Sequence, residues 1–242
     1  MLRCFDPGHP VRGIAEMAEE LSVGRSTAHR YACTLVKLGY LEQEPSRKYR
    51  LSASVSNFGL ALLDSMVVRR VARERLRDLR ARTGRTVSLG VLGGSEVAQI
   101  DRWRGSRQGQ YAVDAGLGVG TRLPLHCSAA GKALLASLPV AEQRNLTSKL
   151  RLVRRTHKTI TTKTALRVEL ERIREQGGIA AEDEELLAGR RALAAVVMDP
   201  EGRPAAAIEL AAPAEAYTCR EMLEQLGVDM TIAAQRIAEG LQ

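Results

Sequence analysis

The chain has 242 residues, of which 45% are apolar and only 3% aromatic, and it carries a formal net charge of +8. That length holds one large or two modest domains with aliphatic, alanine-rich cores, and the excess of base suits an anionic partner. No apolar run is long enough to span a bilayer, no signal peptide precedes the first charged residues, and Cys4, Cys33, Cys127 and Cys219 form no CxxC pair; the expectation is a cytoplasmic protein with reduced thiols, neither a membrane protein nor a disulfide scaffold.

Met1 to Phe5 precede a turn-like stretch, Asp6-Pro7-Gly8-His9-Pro10. Ile14, Met17, Ala18 and Leu21 then fall at i, i+3, i+4, i+7, one apolar stripe of a short helix. Ser22 to Gly24 break the pattern and supply a turn. A second helix follows, with Ala28, Tyr31, Ala32, Leu35, Val36 and Leu38 as its expected apolar side and Arg25, Ser26, His29, Arg30 and Lys37 toward solvent. Gly39 stops it. Tyr40 to Glu42 and Lys48 to Leu51 read as two short strands around the turn Pro45-Ser46-Arg47.

Helix, tight turn, helix and basic hairpin make a winged helix-turn-helix, whose common use is to seat a helix in the major groove of DNA. Residues 21–50 hold six Lys or Arg against Glu42 and Glu44. Arg25 and Arg30 are long enough to reach guanine edges. Ser26, Thr27 and His29 suit phosphate or base contacts, and Arg47, Lys48 and Arg50 suit the backbone beside the groove. The competing interpretation is a solvated face on an ordinary helical core.

Residues 52–82 are expected to join two domains. Val55, Phe58, Leu62 and Leu63 are candidates for packing back on the winged helix. Val68, Val71, Ala72, Leu76 and Leu79 line one side of a helix that carries seven arginines between Arg69 and Arg82. Strands are expected at Thr86 to Leu92, Glu96 to Trp103 and Gln110 to Ala115. Helices follow at Ser128 to Leu138 and Thr164 to Gln176. Ile179 to Asp183, Ala192 to Asp199 and Ala205 to Ala211 read as further strands, and Glu215 to Leu241 as a closing helix. The expected fold class is α+β: a winged helix-turn-helix over 1–54, linker helices over 55–82, and an antiparallel sheet with flanking helices over 83–242.

The small residues Cys127 to Gly131 precede a helix start. Small side chains admit a ligand to the backbone, and the free N–H groups there favour a carboxylate. Gly131-Lys132 is not a phosphate loop, because His126 and Ala133 stand where glycine and Ser or Thr are required. His126-Cys127 is the only adjacent pair drawn from His and Cys, and Asp183, Glu184 and Glu185 lack a visible nucleophile or base partner. No metal, cofactor or catalytic residue is assigned, and an enzyme is not expected.

Three segments resemble one family. STAHRYACTLVKLGYLEQEPSRKYRL at 26–51 is similar to the DNA-binding domain of IclR-type bacterial transcription regulators. GTRLPLHCSAAGKALLAS at 120–137 and DEELLAGRRALAAVVMDPEGRPAAAIELAAP at 183–213 are similar to the effector domain of the same family. VGTRLPLHCSAAGK looks most like the branch that regulates aromatic-acid catabolism through protocatechuate and β-ketoadipate. The resemblance implies a GAF-like effector domain, a palindromic operator of double-stranded DNA, and a homodimer or dimer of dimers. It also implies that Ser128, Ala129 and Ala130 hold the acid group of a small organic effector. Asp183, Arg190 and Ala192 fall at further effector-lining positions, with Arg190 where the family can have an apolar residue; it would suit a more acidic or larger effector, or point outward. Cys219 and Met222 are weaker candidates. A family member normally has a full first helix before the equivalent of Ile14, and here Met1 to Phe5 stand in its place. That departure motivates an alternative, a carboxylate-binding protein with a non-functional DNA-binding half.

Overall fold

The computed structural model describes residues 1–6, 8–111 and 116–242, arranged as two compact units, Met1–Ser65 and Met66–Gln242. In the first unit, helix α1 (Ile14–Glu20) starts where the Glu16 carboxylate accepts the Gly13 N–H at 2.9 Å. Ser22, at φ 54°, turns the chain into α2 (Arg25–Lys37). Ala28 and Ala32 are fully buried, and side chains that small let α1 and α2 approach closely. Gly39, at φ 76°, ends α2 in the left-handed conformation that glycine adopts without strain.

Three short strands complete the unit: β1 (Val11–Arg12), β2 (Leu41–Gln43) and β3 (Tyr49–Leu51), all antiparallel in the order β1-β3-β2. Strand β1 was not expected; at two residues it has no periodicity to read. The core joins Met17, Ala32, Leu41 and Tyr49 to Cys4 and Phe5, which follow a single 3-10 turn at Leu2–Cys4. Residues 1–5 therefore close the winged-helix core. Two members of the expected α2 stripe lie outside it, with Tyr31 50% and Leu38 58% exposed. Helix α3 (Ser56–Ser65) buries none of its residues. Of the residues expected to fold back, Phe58 meets the Tyr40 ring at 5.1 Å between centroids, while Leu62 remains exposed.

The second unit begins with α4 (Val67–Thr83), whose Ala72, Leu76 and Leu79 are buried while its arginine-rich side is mostly exposed. Six antiparallel strands follow: β4 (Thr86–Gly93), β5 (Glu96–Trp103), β6 (Arg122–Pro124), β7 (Ala180–Asp183), β8 (Arg190–Met198) and β9 (Pro204–Pro213), in the order β6-β5-β4-β9-β8-β7. Gln110 and Tyr111 are helical rather than extended, and the rest of the strand expected at 110–115 lies outside the described residues.

Helix α5 (Ala129–Ser137) packs on β8 and β9, with α7 (Lys163–Glu175) behind it. Helix α6 (Val140–Lys149) was not expected, because its mostly polar residues show no stripe. Helix α8 (Cys219–Glu239) covers the sheet together with α4. It starts later than expected, where the Thr218 hydroxyl accepts the Glu221 N–H at 3.2 Å and the Glu221 carboxylate accepts the Thr218 N–H at 2.7 Å.

Candidate functional site

Two sets of residues are candidates for the functional chemistry, one in each unit. In the first, Arg25, Ser26, His29 and Arg30 are exposed on α2 and Thr27 is half-buried. The reason is helical geometry: Ala28 and Ala32 turn inward, so positions 25, 26, 29 and 30 turn outward. Arg47 sits in a left-handed turn at φ 61°, and Lys48 and Arg50 follow, all exposed. Arg50 pairs with Glu42 across the hairpin at 2.8 Å. Arg25, Arg30, Arg47 and Lys48 form no ion pair among the described residues. The unit therefore exposes positive charge on the second helix and the hairpin turn, with Lys48 acting partly on Glu16, an arrangement suited to a polyanion.

The site in the second unit is built where the start of α5 meets the sheet. Ser128 caps the helix. Its hydroxyl accepts the Gly131 N–H at 3.1 Å and donates to the Pro124 carbonyl at 2.7 Å. Gly131 must be glycine, since a Cβ there would lie 2.5 Å from the Leu125 Cα. The next free amide, that of Ala130, donates to Glu209 Oε2 at 3.0 Å.

Strand alternation sets the rest. Glu182 pairs with Ala192 and Ala192 with Ala211, while Glu209 pairs with Ala194, so Glu182, Arg190, Ala192, Ala194, Glu209 and Ala211 share the sheet side facing α5. Arg190 is 0% exposed; the guanidinium donates to Glu182 Oε2 at 2.6 Å through Nη1 and to Glu209 Oε1 at 2.5 Å through Nη2. Glu182 Oε1 accepts the Leu186 N–H at 3.0 Å. Burial pushes the Glu182 carboxyl up to about 7, although Arg190 pulls the other way. Arg190 therefore does not point outward, as one expectation had it. Two carboxylates and the surrounding strands enclose it.

A second buried ion cluster lies one turn along α5. Lys132, 1% exposed, donates to Glu185 and, at 3.3 Å, to Glu169. Burial raises the Glu185 carboxyl. It also pushes the Cys127 thiol up to about 12, leaving it protonated and unreactive. His126 is held below its ordinary value by burial, with its ring against the Val153 carbonyl at 3.1 Å.

Of the expected effector residues, the structure brings Ser128, Ala129, Ala130, Arg190 and Ala192 together. Asp183 lies apart from them. Alternation turns it away from Glu182, and it is held by Arg191 at 2.5 Å and Lys158 at 3.0 Å. Met222 is buried, and Cys219 Sγ lies 4.0 Å from the Glu182 carbonyl oxygen. Glu182, Glu209, Lys132 and Glu185 were missed. For Glu209 and Lys132 the available signal was a lone charge inside an apolar run, as in AAAIELAAP and AAGKALLAS, whereas Glu182 and Glu185 stand in the acidic run 182–185, which carries no such signal.

A basic winged helix joined in one chain to an α+β domain whose helix start faces buried charge defines a DNA-binding regulator with a sensing domain. Family models described as "IclR helix-turn-helix domain" and "Bacterial transcriptional regulator IclR C-terminal" match residues 1–45 and 60–239. The chain belongs to the IclR family of bacterial transcriptional regulators.

It is 34% identical to the HTH-type transcriptional regulator XynR of Escherichia coli (strain K12), over 91% of this chain and 88% of that protein. A transcriptional regulator from Rhodococcus sp. RHA1 superimposes with a TM-score of 0.81 at 30% identity, covering 99% of this chain and 94% of that one. An IclR homolog from Microbacterium hydrocarbonoxydans, solved in complex with 4-hydroxybenzoate, gives 0.79 at 27% identity, covering 99% and 95%. Among the described residues no helix is long and apolar enough to cross a membrane.

Proposed function

We propose that this IclR-family regulator binds a palindromic operator as a homodimer or dimer of dimers in the cytoplasm, and that a small organic acid sets its affinity. Arg25 and Arg30, with Ser26, Thr27 and His29, read the major groove, while Arg47 and Lys48 grip adjacent phosphates. Arg50 contributes less, because Glu42 already neutralises it. The observation that carries this reading is the group of four exposed cations on α2 and the hairpin, none of which forms an ion pair among the described residues. Each cation placed on a phosphate releases counterions, so binding falls steeply with salt.

The acid is received at the start of α5 by the amides of Ser128, Ala129 and Ala130, beside Arg190 and Ala192. Glu182 takes the lining role first expected of Asp183. The relative that holds 4-hydroxybenzoate supports an aromatic acid as one class to test. Acid binding alters transcription only if it favours one arrangement of paired winged helices over another. The test is a gel shift on DNA upstream of the gene, run across a salt series with and without a panel of carboxylic acids that includes 4-hydroxybenzoate. A salt-dependent, sequence-specific shift that an acid weakens or strengthens is expected. Binding that ignores both DNA sequence and every acid overturns the reading.

A further inference from the structure

The interior of the sensing domain already contains what an acid effector would bring. A single carboxylate, that of Glu209, spans the Ala130 amide at 3.0 Å and the Arg190 guanidinium at 2.5 Å. These are the two kinds of donor that recognise a ligand carboxylate: a helix-start N–H and a charge-assisted Arg N–H. Glu209 itself is 1% exposed, and the methyl groups of Ala192 and Ala211 stand beside it on the sheet.

Arg190 is fully buried, and its Nε has no hydrogen-bond partner beside the Glu209 carboxylate; in the neighbouring Lys132 cluster the same holds for Glu185 Oε2. Fully buried ion pairs in a finished core satisfy their polar atoms, because a desolvated donor left empty is costly. Glu169, Glu182, Glu185 and Glu209 share two buried cations, Lys132 and Arg190, so an incoming acid has to compete with resident carboxylates for them. Arg172 also holds Glu169, but from the exposed side of α7.

We propose that Glu209 is the resident carboxylate of the effector site, and that an acid ligand binds by exchanging with it. The incoming carboxylate takes the Ala130 N–H and Arg190 Nη2. The displaced Glu209 moves along the guanidinium edge to the unused Nε. One arginine thereby holds the ligand and its internal competitor side by side, and the Ala130 amide faces one carboxylate before and after the exchange. The proposal rests on the reading of the α5 start as the acid site. It adds that the site is self-filled, so ligand affinity is set against an intramolecular rival of high effective concentration.

The test uses the full chain with Glu209→Ala, which removes the rival, and with Glu209→Gln, which keeps its volume but not its charge. Acetate and propionate, the size of the excised group, are the probes. Melting temperature and the NMR shift of the Ala130 amide are the readouts. Glu209→Ala is expected to bind propionate at least tenfold more tightly than the parent chain, with the Ala130 amide moving on titration. Adding Arg190→Met to that variant is expected to abolish the gain.

Should Glu209→Ala not fold, Glu209→Gln is expected to bind acetate at least tenfold more tightly than the parent. Equal affinity in parent and variants, or an Ala130 amide that ignores the acid, overturns the exchange. The functional reading fails separately: a propionate-binding Glu209→Ala chain whose parent responds to no acid on DNA retains the self-filled site and loses the acid-controlled regulator. Acid-controlled DNA binding that is indifferent to residue 209 does the reverse.

Discussion

The carboxylate of Glu209 on β9 accepts the N–H of Ala130 at the start of α5, 3.0 Å away, although 79 residues separate them in sequence. This contact ties helix to sheet and carries the buried Arg190 with it. It makes the charged interior a determinant of stability.

Arg190→Met is expected to destabilise the second unit strongly. It leaves Glu182 and Glu209 without their shared cation, and breaking a buried ion pair on one side costs about 3–5 kcal/mol. Urea denaturation monitored by the far-UV signal measures the loss. The triple variant Glu182→Gln, Arg190→Met, Glu209→Gln removes the stranded charges and is expected to regain part of it. A single Arg190→Met as stable as the parent contradicts the burial described.

Stability should depend on pH through Glu182. Its carboxyl is raised in the folded chain by burial to about 7, above the ordinary value of 4.5. The folded state therefore holds a proton that the unfolded state releases between those values. The contribution is fully present below 4.5 and is lost as pH rises through about 7, with a slope of at most roughly 1.4 kcal/mol per pH unit. Carboxylates held low by cations, such as Asp183, contribute in the opposite sense, so the comparison must be internal. Denaturation of parent and Glu182→Gln from pH 5 to 8 should show a flatter decline in the variant. Parallel curves would remove the effect.

Gly131→Ala should disturb the helix start without altering any charge. The added Cβ meets Leu125 backbone atoms at 2.5 and 2.6 Å, which rotamer adjustment does not relieve. Overpacking of this kind costs about 1–3 kcal/mol. A lowered melting temperature, with a shifted Ala130 amide in NMR, is the expected outcome. An unchanged melting temperature would show that α5 has room there.

On DNA, Arg47→Ala and Lys48→Ala should each weaken binding alike across sequences and reduce the salt slope by about 0.9 per lost phosphate contact. Arg25→Ala and Arg30→Ala should cost about 1–3 kcal/mol on the operator and relax its specificity. Fluorescence anisotropy at several salt concentrations separates the two patterns. Identical behaviour of all four variants would undo the division between reading and gripping residues.

Much of the fold was legible because its signals are local. The Ile14–Leu21 stripe, the stop at Gly39, the Ser128 cap and the paired runs of β8 and β9 each lie within one short window. The errors also have physical causes. Tyr31 and Leu38 match helical periodicity yet stay exposed, since a small unit has too little interior to use every apolar residue. Helix α6 is polar on most sides and left no stripe.

The site was half legible. Small residues before a helix can be recognised by eye, but an arginine in a strand reads as outward-facing unless its partners are known. Those partners sit 8 and 19 residues away on other strands, beyond any local pattern. Asp183 was placed at the site by the family resemblance; adjacent acids on a strand face opposite ways, and the register turns Glu182 toward α5.

The row of alanines between α5 and the sheet has a bearing on how such a sensor changes over generations. With methyl groups at 192, 194, 207 and 211, the bulk in that layer is concentrated in the side chains of Arg190, Glu182 and Glu209. One base change converts a glutamate codon to alanine, so a lineage needs a single mutational step at position 209 to remove the side chain that joins Ala130 to Arg190, or to restore it.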